Sequence, residues 1–241
     1  MQFALTPYLW LANASGSLRF SLPDGGEADA STGPYNYLQH LRFAAMLQGE
    51  ARKGDWSIFV DAIYLNFGRH STTVQTRGSG NLERESEGSG ETSFKGTLIQ
   101  LGGGRTIAVL PRATFDAIAG VRYLGVSSSL DASVNASLGG SGAGFNPTFH
   151  MSQRQDIYDG FVGVRARVSL TGDGRWYLPF YLDVGTGTSD VTWQAIAGVG
   201  YAMKWGDITL SYRYLALYGS GDQLVQTLRL NGPALSATFR F

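Results

Sequence analysis

Apolar and polar residues alternate over long stretches of this chain. Within 56–67, Trp56, Ile58, Val60, Ala62 and Tyr64 share one face, and Ser57, Phe59, Asp61 and Ile63 the other. Within 114–125, Phe115, Ala117, Ala119, Val121 and Tyr123 oppose Asp116, Gly120 and Arg122. Within 161–169, Val162, Val164, Ala166 and Val168 oppose Gly163, Arg165, Arg167 and Ser169. Within 193–203, Trp193, Ala195, Ala197, Val199 and Tyr201 oppose Gln194, Gly198 and Gly200. A sustained period of two predicts β-strands.

A soluble sandwich or lipocalin-like barrel also alternates, and three features separate this chain from it. The runs are about ten residues long, enough for a tilted strand to cross a bilayer, whereas soluble strands average about 5–6. Asp61, Arg122, Arg165, Arg167, Asp183 and Arg213 put full charges at mid-run, which a soluble core rarely tolerates and a membrane-barrel interior does. Aromatics gather near run ends, at Trp10, Trp56, Tyr64, Tyr123, Trp176, Trp193, Tyr201, Trp205, Tyr212 and Tyr214, as interfacial girdles require.

Four short polar turns join the runs: Lys53-Gly54-Asp55, Pro111-Arg112, Gly172-Asp173-Gly174 and Gly206-Asp207. Longer outer connections fall at 14–40, 69–92 and 127–155, with brief ones near 187–190 and 219–223. Short turns belong to the periplasmic side and long loops outside. The expectation is one all-β domain over 1–241, a single antiparallel transmembrane β-barrel of ten strands with both termini in the periplasm. The spans are 2–13, 41–52, 56–68, 93–109, 113–126, 156–170, 175–187, 191–204, 207–218 and 224–241. Loop 69–92 is Ser/Thr/Gly/Glu-rich and expected to move freely. Residues 15–31 read as an outer hairpin and 35–41 as a short helix folded toward the lumen; if the hairpin crosses the membrane instead, the count is twelve.

Composition agrees. Charged residues are 16%, below the usual quarter for soluble domains, and with 33 Gly and 12% aromatics the mix suggests tight turns, close backbone packing and an aromatic-rich surface. Formal charge is zero, with 19 basic and 19 acidic residues, so no basic face calls for nucleic acid. The absence of cysteine excludes disulfides, thiolate metal sites and thiol nucleophiles. No run of about 18 apolar residues predicts a spanning helix. The start at Met1-Gln2-Phe3 lacks the charged and apolar regions of a signal peptide, so a mature chain with an added start Met is expected.

The chain ends with Leu235, Ala237, Phe239 and Phe241 on one face and an aromatic last residue. This resembles the C-terminal signal that the barrel-assembly machinery reads in bacterial outer-membrane proteins. Further stretches are similar to a broad group of proteobacterial outer-membrane β-barrel proteins. They are Thr6-Pro7-Tyr8-Leu9-Trp10, Gly49 through Trp56, Gly120-Val121-Arg122-Tyr123, Trp193 through Tyr201 and Tyr212-Arg213-Tyr214. The resemblance spans most of the chain outside the long loops. It implies a porin-like small barrel in a Gram-negative outer membrane, inserted by that machinery among membrane lipids and lipopolysaccharide. It carries no activity.

Candidate chemistry is sparse. His40, His70 and His150 lie in or beside predicted outer loops. No Asp-x-Asp or His-x-Ser-x-Gly-like run matches the omptin-type proteases or lipid A deacylases, so enzymatic function is not expected. No cofactor or metal is expected; Glu83, Glu85, Glu87 and Glu91 on one loop would be weak oxygen ligands. Gly102-Gly103-Gly104 lies mid-strand without a following Lys-Ser/Thr, so it is expected to allow strand curvature or to make room for large lumen groups, not to bind phosphate.

The informative set is the inward face. The phase collects Arg42, Glu50, Arg52, Asp61, Gln100, Asp116, Arg122, Asp159, Arg165, Arg167, Asp183, Gln194 and Arg213, with Tyr8, Tyr177 and Tyr181 beside them. Eight strands leave a filled interior and 16–18 an open channel, so ten lies near the filled end. A mostly occluded monomeric barrel with a structural or surface-interaction role is therefore expected. A small-solute or ion channel is the first alternative, and an outer-membrane hydrolase the second.

Overall fold

The computed structural model describes residues 1–21, 27–32, 41–77, 86–133, 136–137, 144–145, 148–219 and 225–241. Side chains are described within these except at 14, 17–21, 27–32, 41–44, 67–77, 86–94, 128, 130–133, 136–137, 144–145, 148–151, 153 and 225. In chain order the strands are β1 (Gln2–Trp10), β2 (Asn13–Ser21), β3 (Glu27–Thr32), β4 (Leu41–Lys53), β5 (Trp56–Arg77), β6 (Ser86–Leu110) and β7 (Ala113–Ser133). They continue with β8 (Ala136–Ser137), β9 (Gly144–Phe145), β10 (Thr148–Ser169), β11 (Trp176–Gly187), β12 (Val191–Ala202), β13 (Gly206–Tyr218) and β14 (Val225–Arg240).

Ten of these close an antiparallel ring: β1, β4, β5, β6, β7, β10, β11, β12, β13 and β14, with β14 returning to β1. Leu9 faces Leu235 at the closure, and Phe3 and Phe241 exchange backbone hydrogen bonds of 3.2 and 2.9 Å. Closure is what a bilayer demands, because lipid offers an unpaired strand edge no hydrogen bonds. The β2–β3 hairpin settles the strand count. β2 continues along β14 above β1, and β3 lies along β5 above β4. The hairpin thus lengthens two staves on the outer side without adding any at membrane level. The expected helix at 35–41 falls on residues outside those described, apart from Leu41, which opens β4.

Three connections move. The loops expected at 69–92 and 127–155 are largely ladder: β5 reaches Arg77, β6 starts at Ser86, β7 reaches Ser133 and β10 starts at Thr148. These strands hold 21–25 residues, against 12 or 13 in β11, β12 and β13. At about 3.3 Å per residue that is roughly 70–80 Å of strand against roughly 40 Å. A ladder needs only backbone partners, so Ser/Thr-rich sequence extends it once lipid no longer imposes an apolar face. The turn expected at Gly206-Asp207 lies instead at 203–205, where Met203 N donates to Gly206 O, so Asp207 belongs to β13. In the tight periplasmic turns, Gly54 (φ 57°) and Gly174 (φ 67°) hold the left-handed backbone that favours glycine.

The outward face is apolar. Val121 and Val162 are each 60% exposed, as are Ile58, Val164, Leu182, Val199, Leu235 and Phe239 to lesser degrees. One rim carries Trp56, Trp176 against Tyr201, and Trp205 against Phe239; the other carries Tyr123 against Tyr158 and Trp193 stacked on Tyr214. Trp10 departs from the expected girdle. It is fully buried in the lumen, its Nε1 donating to Gly232 O at 3.2 Å.

Candidate functional site in the barrel lumen

Strand phase sends one polar side chain in two into the barrel, and these converge into layers. Nearest the periplasm, Arg165 donates to both oxygens of Glu50 (2.8 and 2.9 Å), to Asp116 Oδ2 (2.8 Å) and to Ser57 Oγ (2.9 Å). Arg52 donates to the same Asp116 carboxylate at 2.5 Å, and Thr106 Oγ at 2.7 Å. Beside them Arg167 and Arg240 share Asp207, and the Arg167 guanidinium lies 3.3 Å from the centroid of the Tyr177 ring.

A second belt crosses the middle. Arg213 pairs with Asp61 (2.9 Å) and donates to Gln194 Oε1 (2.7 Å) and Tyr8 Oη (2.9 Å), while Tyr8 donates to Asp61 at 2.6 Å. Arg122 pairs with Asp183 at 2.5 Å and donates to Thr192 Oγ (2.9 Å). Tyr181 donates to the same Asp183 oxygen at 2.7 Å. Charges this deep persist because each is paired and hydrogen-bonded. Aromatic rings separate the layers: Phe161 underlies Arg122 and Phe59 underlies Arg165, at 5.2 and 5.5 Å. Inward Gly102 makes this possible, since a Cβ there would stand 2.5 Å from the Phe59 ring.

Above the belt the lumen changes character. Trp10 sits over Arg213, with 4.9 Å from guanidinium to ring centroid. Met46, Ile63, Leu65, Leu98, Leu124, Val126, Ile157, Leu215, Leu217, Leu228 and Leu230 are all buried in this outer tier. Below the belt lies a cavity of about 490 Å³. Gln2, Arg52 and Arg240 line its periplasmic end, and Tyr8, Asp61, Gln100, Gln194 and Arg213 its inner end.

Of the thirteen polar residues predicted, Glu50, Arg52, Asp61, Gln100, Asp116, Arg122, Arg165, Arg167, Asp183, Gln194 and Arg213 meet in these layers. Asp159 points inward but acts as a latch, accepting from Ser189 N (3.0 Å) and Ser189 Oγ (2.5 Å) to hold the β11–β12 turn. Arg42 lies on β4 with its side chain outside those described. Asp207 and Arg240 were missed. The first was hidden by misplacing a turn; the second was available, because outward Phe239 and Phe241 leave Arg240 facing in. The whole apolar tier was missed too. Its signal was present in Ile63 and Leu65 following Asp61, and in Leu215 and Leu217 following Arg213. Leu235, Phe239 and Phe241 are exposed and Ala237 half-buried on the lipid face of the last strand.

His40 lies outside the described residues, as do the side chains of His70, His150, Glu87 and Glu91. Among the described residues no group of three His, Cys, Asp or Glu could hold a metal.

No family model matches the chain, and neither does any curated protein. Solved structures do. The outer-membrane protease OmpT from Escherichia coli superposes with a TM-score of 0.61 at 11% identity, covering 100% of this chain and 96% of that one. The translocator domain of the autotransporter NalP from Neisseria meningitidis gives 0.42 at 14% identity, covering 100% and 88%. Neisserial surface protein A gives 0.37 at 15% identity, covering 100% and 97%. At such identities the OmpT likeness carries the fold alone. With the closed ring, the lipid-facing apolar wall and the aromatic rims, it makes this chain a transmembrane β-barrel protein of the Gram-negative outer membrane.

Proposed function

We propose that this protein is a closed outer-membrane barrel, one that passes no solute and carries a tall β-extension at the cell surface in a structural or surface-interaction role. The observation that supports it is the stacking of the buried apolar tier over the ionic belt. A hydrated ion moving outward would first have to separate Arg122 from Asp183 or Arg213 from Asp61, leaving charge unpaired. It would then shed its water among leucine and isoleucine side chains that offer no polar replacement. The reading includes no enzymatic activity: the shared fold with a protease transfers no residue. It takes the protein as a monomer, since a closed ring leaves no edge to pair at membrane level. Lipid and lipopolysaccharide meet the aromatic rims, and the assembly machinery reads Leu235, Ala237, Phe239 and Phe241.

The second reading, a small-solute channel, is favoured by the cavity of about 490 Å³ on the periplasmic side. Liposome swelling separates the two. Vesicles loaded with refolded barrel are expected to swell no faster in small sugars or amino acids than empty vesicles. Faster swelling that scales with the amount of folded protein would establish the channel.

A further inference from the structure

The ion-paired side chains of the described lumen balance within every layer but one, and Asp159, which takes its hydrogen bonds from Ser189, stands apart from them. Arg52 and Arg165 are matched by Glu50 and Asp116, Arg213 by Asp61, and Arg122 by Asp183. At the periplasmic end two guanidinium groups share one carboxylate: Arg167 Nη1 is 3.3 Å and Arg240 Nη1 3.0 Å from Asp207 oxygens. Asp207 is 2% exposed, whereas the side chains of Arg167 and Arg240 are 38% and 47% exposed. Among the side chains of this layer one positive charge is left over, carried by two forks that face the cavity and retain donors.

We propose that the periplasmic vestibule is a binding site for a small carboxylate-bearing solute, held between Arg167 and Arg240. The two forks already grip one carboxylate, Asp207, so a second planar oxyanion meets donors of the right kind; guanidinium recognises carboxylate through parallel N–H bonds. Arg167 is pre-positioned by its stack on Tyr177, whose hydroxyl is fixed at 2.9 Å from Thr209 Oγ. Thr6 Oγ donates to Thr238 Oγ at 2.9 Å on the adjoining wall, giving hydroxyls for a second polar group of the ligand. The cavity, about 490 Å³, lies within the usual range for small-ligand pockets. The site opens to the periplasm whether or not the lumen beyond it conducts, so the inference does not rest on the closed-barrel reading.

The test is calorimetric titration of the refolded full chain in a neutral detergent, with succinate as probe, its neutral analogue succinamide as control and inorganic phosphate as competing anion. Heat-modifiable gel migration certifies the fold of each variant. Succinate is expected to bind saturably and succinamide not at all, with Arg167→Gln and Arg240→Gln each weakening succinate by about tenfold or more. Asp207→Asn keeps both arginines and removes their resident carboxylate, so it should tighten succinate binding. This third variant moves affinity upward, which a merely damaged barrel would not do. Absence of succinate binding by folded protein, or binding unchanged in both arginine variants, would overturn the site. Phosphate binding without succinate binding would overturn the carboxylate assignment.

Discussion

Arg122 and Asp183 form the most deeply buried ion pair among the described residues, with side chains 2% and 0% exposed. Asp183 Oδ1 has no hydrogen-bond partner, so the pair is incompletely satisfied. Removing one member strands the other in low dielectric. Arg122→Ala should therefore cost about 3–5 kcal/mol in urea unfolding, while replacing both residues by leucine should cost less than the single change. Equal losses for the single and double replacements would show that packing, and not charge pairing, sets the value. Inward glycines are a second residue-scale control. A Cβ at Gly200 would stand 2.2 Å from Tyr177 Cζ, so Gly200→Ala should displace that ring and cost about 1–3 kcal/mol in the same assay. The inward phase of the charged residues was legible in the sequence because every misphased Arg would face lipid. Their partners were not, because Arg52–Asp116 and Arg165–Glu50 link strands far apart in the chain.

Among the strands, the outward phase of β10 can be tested directly. Val164 is 40% exposed on the lipid face, opposite Leu182 and Ala117. Val164→Arg should destabilise folding into lipid vesicles by about 2–4 kcal/mol if the residue lies near the midplane. Folding as stable as the parent's would place Val164 on the wrong face. The last strand carries a separate prediction. Deleting Phe241 removes its backbone pairing with Phe3 and the final aromatic, so outer-membrane levels of the protein in cells should fall; normal levels would sink the insertion-signal reading. The membrane strands could be read because burial on one side and lipid on the other enforce the period. The upper halves of β5, β6, β7 and β10 could not, since both of their faces lie outside that constraint and Ser, Thr and Gly there resemble loop sequence.

For the whole molecule, a ring of ten strands sets a narrow lumen, and its contents divide along the membrane normal. A periplasmic vestibule gives way to a paired ionic belt, and the belt to an apolar tier. The ring and its sidedness followed from four short turns set against longer connections. The apolar tier did not, because inward leucines at the outer strand ends look like lipid-facing residues unless the phase is carried through from the nearest charge. That tier distinguishes this barrel from a uniformly polar pore, and it makes conduction the decisive property. The measurement is single-channel current across a planar bilayer containing refolded protein whose folding is verified by gel migration. The closed-lumen account predicts a silent bilayer at every insertion level. Steady, reproducible current steps, with ion selectivity altered by charge reversal at Arg122 or Arg165, would contradict it.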